Sequence, residues 1–159
     1  NRFLAFNDLV TLERGMRAEL DKQTALSTLY RKRDMILGLI GGRCGQCGTL
    51  QFPKSNVCVN PDCNAFHTQT DHPFAEMSGK VNSHTADQLT YSPDPPAICG
   101  MVQFDAGGRL MMDFTDVDMA EVSVGLKMRM VFRIKDYDSQ RGFTRYFWKA
   151  TPAGAAKEA

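Results

Sequence analysis

Four cysteines fall within twenty residues, as Cys44-Gly45-Gln46-Cys47 and, ten residues on, Cys58-Val59-Asn60-Pro61-Asp62-Cys63. Two thiolates three positions apart can face one ion if the turn between them is tight. Gly45 and Gly48 let backbone amides close on the sulfurs. Zinc in a structural role takes a tetrahedron of thiolates at about 2.3 Å, and four cysteines fill every position. Nothing is left for water, so catalysis by this metal is disfavoured. The spacing from Cys58 to Cys63 is longer than the common two-residue one. His67 is near enough in sequence to replace a sulfur, but the thiolate set is complete without it. Iron in a redox site uses the same ligands and is the competing metal. An odd count of five cysteines, four of them clustered in a chain without export signals, points to metal binding in a reducing compartment rather than to disulfides. The cytoplasm is the expected location.

Other reactive side chains read more plainly. Cys99 sits in a strand pattern with no base near it in sequence, so a small buried hydrophobe explains it better than a nucleophile. His72 and His84 are isolated and fit surface or satisfied core positions. Arg31-Lys32-Arg33 can grip the phosphates of a nucleotide-like ligand, though a solvated helix face is the better explanation of the run. Phe143, Arg145, Tyr146, Phe147 and Trp148 mix aromatic and basic residues as single-strand-binding barrels do, and as a strand shared between core and interface also does. Asp113, Asp116 and Asp118 alternate with apolar residues but read as turn carboxylates.

Three kinds of element must carry these residues. Over about 8–40 the periodicity is helical: Leu9, Leu12, Met16 and Leu20 share one face, and Leu26, Leu29, Tyr30, Leu37 and Ile40 form a second stripe. Gly41-Gly42 then reads as the end of that second helix. Residues 43–68 are rich in Cys, Pro and Asn and too poor in apolar residues to fold without a metal. From about 76 the chain reads as all-β. Lys127–Lys135 alternates, with Met128, Met130, Phe132 and Ile134 on one face and basic residues on the other. Ala97–Phe104 and Arg109–Thr115 flank the hairpin signal Asp105-Ala106-Gly107-Gly108. Strands near Gly79–Ala86 and Phe143–Lys149 bring the count to about five, that of a small OB-type barrel. The expected fold is α+β: N-terminal helices (1–42), a rubredoxin-like zinc ribbon (43–70), a C-terminal five-stranded OB-type barrel (71–152) and a flexible tail (153–159).

The bulk numbers exclude several function classes. Of the 159 residues, 43% are hydrophobic and 23% charged, which fits a globular domain rather than a disordered chain. No run approaches a membrane span. Net charge is +1, made of +3 over residues 1–70 and −2 over the rest. That is not the strongly basic field that nucleic-acid binding needs, so a protein or small-molecule partner is expected.

The order of helix, four-cysteine ribbon and OB-type barrel resembles the zinc-ribbon/OB-fold acyl-CoA-associated family, small accessory subunits of thiolases and thiolase-fold enzymes. The resemblance rests on Cys44-Gly45-Gln46-Cys47-Gly48, on Phe52-Pro53 ahead of Cys58 and Cys63, on Ser78-Gly79-Lys80-Val81 opening the barrel, and on Pro95-Pro96-Ala97-Ile98. It continues through Leu110–Val117 and Val124-Gly125-Leu126-Lys127-Met128 and spans most of residues 26–150. The helical start and the ribbon look most like the small subunit of benzoylsuccinyl-CoA thiolase, from aromatic-compound degradation. The resemblance implies one structural Zn²⁺ on Cys44, Cys47, Cys58 and Cys63, a thiolase-fold partner in a hetero-oligomer, and no catalysis by this chain alone. It also implies acyl-CoA as ligand of the complex, with Arg31, Lys32 and Arg33 near the CoA phosphates.

Overall fold

In the computed structural model, the residues described are 30–90, 92, 95–138 and 142–154. A five-residue helix, α1 (Arg33–Leu37), leads in and ends where the Gly38 amide donates to Asp34 O at 2.9 Å. Leu39 then turns the chain through a left-handed φ of 50° and is itself 2% exposed. The helix of the second stripe therefore ends at Leu37, before Ile40. Ile40, Gly41 and Gly42 belong to strand β1 (Ile40–Cys44), and the glycine pair does not end a helix. Its role is close approach: a Cβ on Gly41 would stand 2.3 Å from the Phe74 ring and 2.7 Å from Gln51 O. Leu26, Leu29 and the whole Leu9–Leu20 stripe lie outside the described residues, as does the end of the tail, 155–159.

β1 is the centre of a three-stranded antiparallel sheet. It pairs with β2 (Leu50–Gln51) on one side and β3 (Gln69–Pro73) on the other. Five longer strands follow: β4 (Ser78–Asp87), β5 (Ala97–Phe104), β6 (Arg109–Asp113), β7 (Lys127–Asp138) and β8 (Phe143–Pro152). They form an antiparallel sheet in the order β6-β5-β4-β7-β8. A parallel bridge between Phe114 and Ala150, with the Thr115 amide donating to Ala150 O at 2.9 Å, brings the outer strands together. This is the nearly closed five-stranded barrel of an OB fold. Gly107 and Gly108, at φ 112° and 83°, make the β5–β6 turn that the sequence signalled.

β7 runs as one strand over Lys127–Asp138, but only the first part of its apolar face meets the core. β4 pairs with β5 over Gly79–Asp87, with a register shift at Val81/Ser83, but with β7 only over Ser78–Lys80, opposite Arg129–Lys127. Beyond Arg129, β7 pairs with β8 alone, and the two run on as a two-stranded ribbon. Met128 and Met130 are buried, whereas Phe132 and Ile134 on the same face are 39% and 62% exposed. Phe132 stacks on Tyr146 at 5.3 Å and tilts against Trp148 at 4.9 Å. Trp148 Nε1 donates to Leu37 O at 3.0 Å, pinning α1 to the barrel.

The small sheet and the barrel share one core. Leu39, Leu50 and Phe74 pack into the same cluster as Val81, Val102, Phe104 and Met112. Fully buried Phe74 is the joint, its ring 5.5 Å from Phe52 and 4.9 Å from Phe104. Phe74→Ala is expected to cost about 3–5 kcal/mol, as truncation of a buried ring does. Urea unfolding followed by the single Trp should show the loss. No helix among the described residues is long and apolar enough to cross a membrane.

Candidate metal centre

Cys44 is the last residue of β1 and starts a tight turn. Its amide is held by Thr49 O at 3.0 Å, and the Gly48 amide returns to Cys44 O at 2.9 Å. Gly48 takes φ 74°, the left-handed conformation that favours glycine. This geometry aims the amides of Cys47 and Gln46 at Cys44 Sγ, while Thr68 Oγ1 lies 3.4 Å from the same sulfur. Thr49 Oγ1 stands 3.1 Å from Cys47 Sγ.

The longer second knuckle absorbs its extra residues in a turn of its own. Asn60 O accepts from the amides of Cys63 and Asn64, both at 3.1 Å, and Asn60 Oδ1 accepts from the Asp62 amide at 3.0 Å. Asn64 takes φ 46°, and its side-chain amide donates to Pro61 O at 2.6 Å. The chain thus returns so that the Cys58 amide reaches Ala65 O at 2.9 Å. The amides of Asn60 and Ala65 point at Cys58 and Cys63 sulfurs.

All four Sγ atoms lie within 4.8 Å of one another, with Cys47–Cys58 at 3.5 Å and Cys44–Cys63 at 3.9 Å. A tetrahedron with bonds of about 2.3 Å has edges of about 3.8 Å, so the cluster has the size a thiolate-bound zinc requires. The Cys47 amide and then the Thr68 hydroxyl pull the Cys44 thiol down to about 6. The Thr49 hydroxyl lowers that of Cys47. Cys58, despite the Asn60 amide, is pushed up to about 12 by desolvation and by the sulfurs around it. Cys63 is raised too, against the pull of the Ala65 amide, by desolvation and by Cys47 and Cys44. Four neighbouring thiols cannot all ionise unaided, whereas a divalent cation among them makes four thiolates the favoured state.

Among the described residues this is the one cluster of His, Cys, Asp or Glu with the dimensions of a metal site. His67 stays out of it, its ring 4.0 Å from that of Phe66. The Asp113, Asp116 and Asp118 carboxylates do not gather, and Asp116 instead pairs with Arg133 at 2.9 Å. His72 lies edge-on to Phe74 and His84 is exposed on β4. Half-buried Cys99 has its thiol pushed up by desolvation and then by the Asp113 and Asp87 charges, the opposite of an activated nucleophile. Cys99→Ala is expected to change stability by only about 1 kcal/mol and to leave any activity of an assembled complex unchanged. Turnover assays on the reconstituted complex would check this.

Arg31, Lys32 and Arg33 are all exposed. Arg31 and Lys32, but not Arg33, line a cleft of about 280 Å³ between α1 and the ribbon, shared with Lys54, Ser55, Asn56 and Asp71. Lys54, which binds Asp71 at 2.6 Å, is a cleft cation that no sequence motif marked.

Comparison with known proteins agrees with both parts of the fold. Residues 37–66 match the family described as "ChsH2, rubredoxin-like zinc ribbon domain", and residues 75–133 match "ChsH2, C-terminal OB-fold domain". A "DUF35 domain-containing scaffold protein" of Pyrococcus furiosus is 31% identical over 123 residues, covering 72% of this chain and 82% of that protein. A protein of the same description from Methanocaldococcus jannaschii is 28% identical over 119 residues, covering 72% and 81%. The solved structure of an "Ltp2-ChsH2(DUF35) aldolase" aligns with a TM-score of 0.59 over 84% of this chain and 98% of that one; at 18% identity this is a likeness of fold. The order of ribbon and barrel, and close to a third of positions identical over most of both chains, lead to one conclusion: the chain belongs to the DUF35 family.

Proposed function

We propose that this protein is a non-catalytic accessory subunit of a thiolase-fold acyl-CoA enzyme, bearing one structural Zn²⁺ on Cys44, Cys47, Cys58 and Cys63. The observation that carries this reading is the four-sulfur cluster itself: a thiolate tetrahedron leaves no position for substrate or water. Burial and the Asp113 and Asp87 charges, moreover, keep the Cys99 thiol protonated rather than activated. The scaffold description of the relatives and the ChsH2 (DUF35) component of the aldolase complex support a role beside a catalytic partner. In such a hetero-oligomer the chemistry, an acyl transfer such as that of aromatic-compound degradation, sits on the partner, and the complex works in the cytoplasm. Arg31 and Lys32, with Lys54 across the cleft and Arg33 beside it, offer charge-assisted hydrogen bonds to the phosphates of acyl-CoA.

Affinity purification from the native host, followed by identification of what co-elutes, tests the reading directly. A thiolase-fold subunit in stoichiometric amount is the expected result; its absence overturns the proposal. Charge reversal at Arg31 and Lys32 should raise the complex's KM for acyl-CoA several-fold with kcat little changed.

A second reading has one observation in its favour. On the outer face of the β7–β8 ribbon the ammoniums of Lys135 and Lys149 lie 5.8 and 5.1 Å from the Phe147 ring centre. Cations beside an aromatic ring on an OB barrel suit single-stranded nucleic acid. A salt titration of binding to single-stranded DNA and RNA separates the two, since phosphate contacts give a steep slope.

A further inference from the structure

Gln51 has no motif around it and no place in the ligand set, yet its side chain is 2% exposed at the edge of the ribbon sheet. Its amide is used on both sides. Nε2 donates to Ser55 Oγ at 2.8 Å and to Val57 O at 3.2 Å, while Oε1 accepts from the Val59 amide at 3.1 Å. The Ser55 hydroxyl in turn donates to Val57 O at 2.8 Å. Val57 and Val59 are the two neighbours of Cys58, so one side chain fixes the backbone before and after a sulfur ligand.

The geometry around that loop gives the contact its meaning. The Cys58 knuckle closes on itself: Val57 bridges Phe66, the Cys58 amide reaches Ala65 O, and the His67 amide reaches Asn56 O at 2.8 Å. At its far end the knuckle runs into β3, which pairs with β1 from Cys44↔Gln69 onward. At its near end the link to the sheet is Gln51, whose own backbone is in register with Gly42, two residues before Cys44. The amide therefore spans from the strand pair that carries the first knuckle to the loop that carries the second.

We propose that Gln51 is a positioning residue for the metal centre: it holds the Cys58 knuckle against the Cys44 knuckle and thereby sets the affinity and symmetry of the four-sulfur site. This rests on the metal reading above. A residue outside the ligand set that orients ligands typically changes metal affinity by about tenfold or more when lost.

The test uses the full chain with Gln51→Met, which keeps length and apolar volume but removes the amide. Zn²⁺ affinity is measured by competition with a chromophoric chelator, and Co²⁺ serves as the spectroscopic probe. The expected result is a Zn²⁺ affinity lowered about tenfold and visible Co²⁺ bands shifted and weakened, as for a distorted tetrahedron. The zinc-saturated barrel, followed by Trp148 fluorescence, should unfold at nearly the wild-type urea concentration. Bands that superimpose on the wild type with unchanged affinity overturn the proposal and make Gln51 packing alone. If Gln51→Met does not fold, Ser55→Ala at the exposed end of the network is measured instead. Removing that partner should weaken Zn²⁺ binding by about two- to threefold, in line with one modest hydrogen bond, and unchanged affinity again overturns the proposal. A wild-type chain that takes up neither ion overturns the metal reading and the role of Gln51 with it.

Discussion

Replacing Cys44 by serine is expected to produce a chain that gives up its zinc to a chelator which leaves the wild type loaded, with the ribbon loosened as a result. A serine hydroxyl stays protonated at neutral pH, so it does not stand in for a thiolate, and Cys44 is the ligand held most directly by secondary structure. It closes β1, receives the Cys47 and Gln46 amides, and is 2% exposed. Among the described residues, Ala65 is the one non-cysteine side chain in the apolar cluster around the sulfurs, so the loops have little besides the ion to hold them. The loss should also reach the barrel, because Leu39 and Leu50 on the ribbon sheet pack into the barrel core beside Phe74. Elemental analysis, a zinc-release assay and thermal unfolding of the two proteins check the three parts. The wild type should be colourless with one zinc per chain. A red, redox-active preparation from metal-replete cells would move the assignment to iron.

The four-sulfur cluster was legible in sequence because thiolate ligation imposes short, fixed spacings that survive without knowledge of the fold. The extra residues between Cys58 and Cys63 do not disturb the cluster, since Asn60 and Asn64 fold them into a turn. The barrel was legible for a related reason: the Asp105–Gly108 turn needs left-handed backbone, and the strands on either side begin and end where that turn puts them. What was hidden depends on contacts between distant segments. Leu37 and Ile40 match helical spacing, yet Phe74 packs against Gly41 from more than thirty residues away and draws Ile40 into a strand. Phe132 and Ile134 continue the core face of β7, yet they are exposed, because β4 begins at Ser78, opposite Arg129, and leaves the rest of β7 paired with β8 alone. Gln51 carries no local signal at all, as its partners are defined by the course of a loop. Lys54 became a cleft residue only once α1 was set beside the ribbon.

Removing residues 1–29 is expected to abolish co-purification with the proposed thiolase-fold partner while leaving ribbon and barrel folded. The sequence of this segment carries the amphipathic stripe Leu9, Leu12, Met16 and Leu20, apolar surface of the kind that interfaces use. The position of the cut follows from the fold. A deletion through residue 40, which helical periodicity alone would invite, removes Leu39 from the shared core and the Ile40↔Pro73 pair from the ribbon sheet. Loss of binding would then report unfolding. A cut before Tyr30 keeps α1, its Trp148–Leu37 hydrogen bond and all of β1. The competing surface is the projecting β7–β8 ribbon, where Ile134 and Tyr146 are 62% and 44% exposed on one face. Ile134→Glu places a charge there without touching the barrel core, so the two variants form a matched pair. If the segment is the interface, the truncated chain elutes alone with one zinc and a wild-type urea midpoint, and the Ile134→Glu chain still brings the partner down. The reverse pattern, tight binding by the truncated chain and none by Ile134→Glu, would move the interface to the barrel and leave the N-terminal stripe to internal packing.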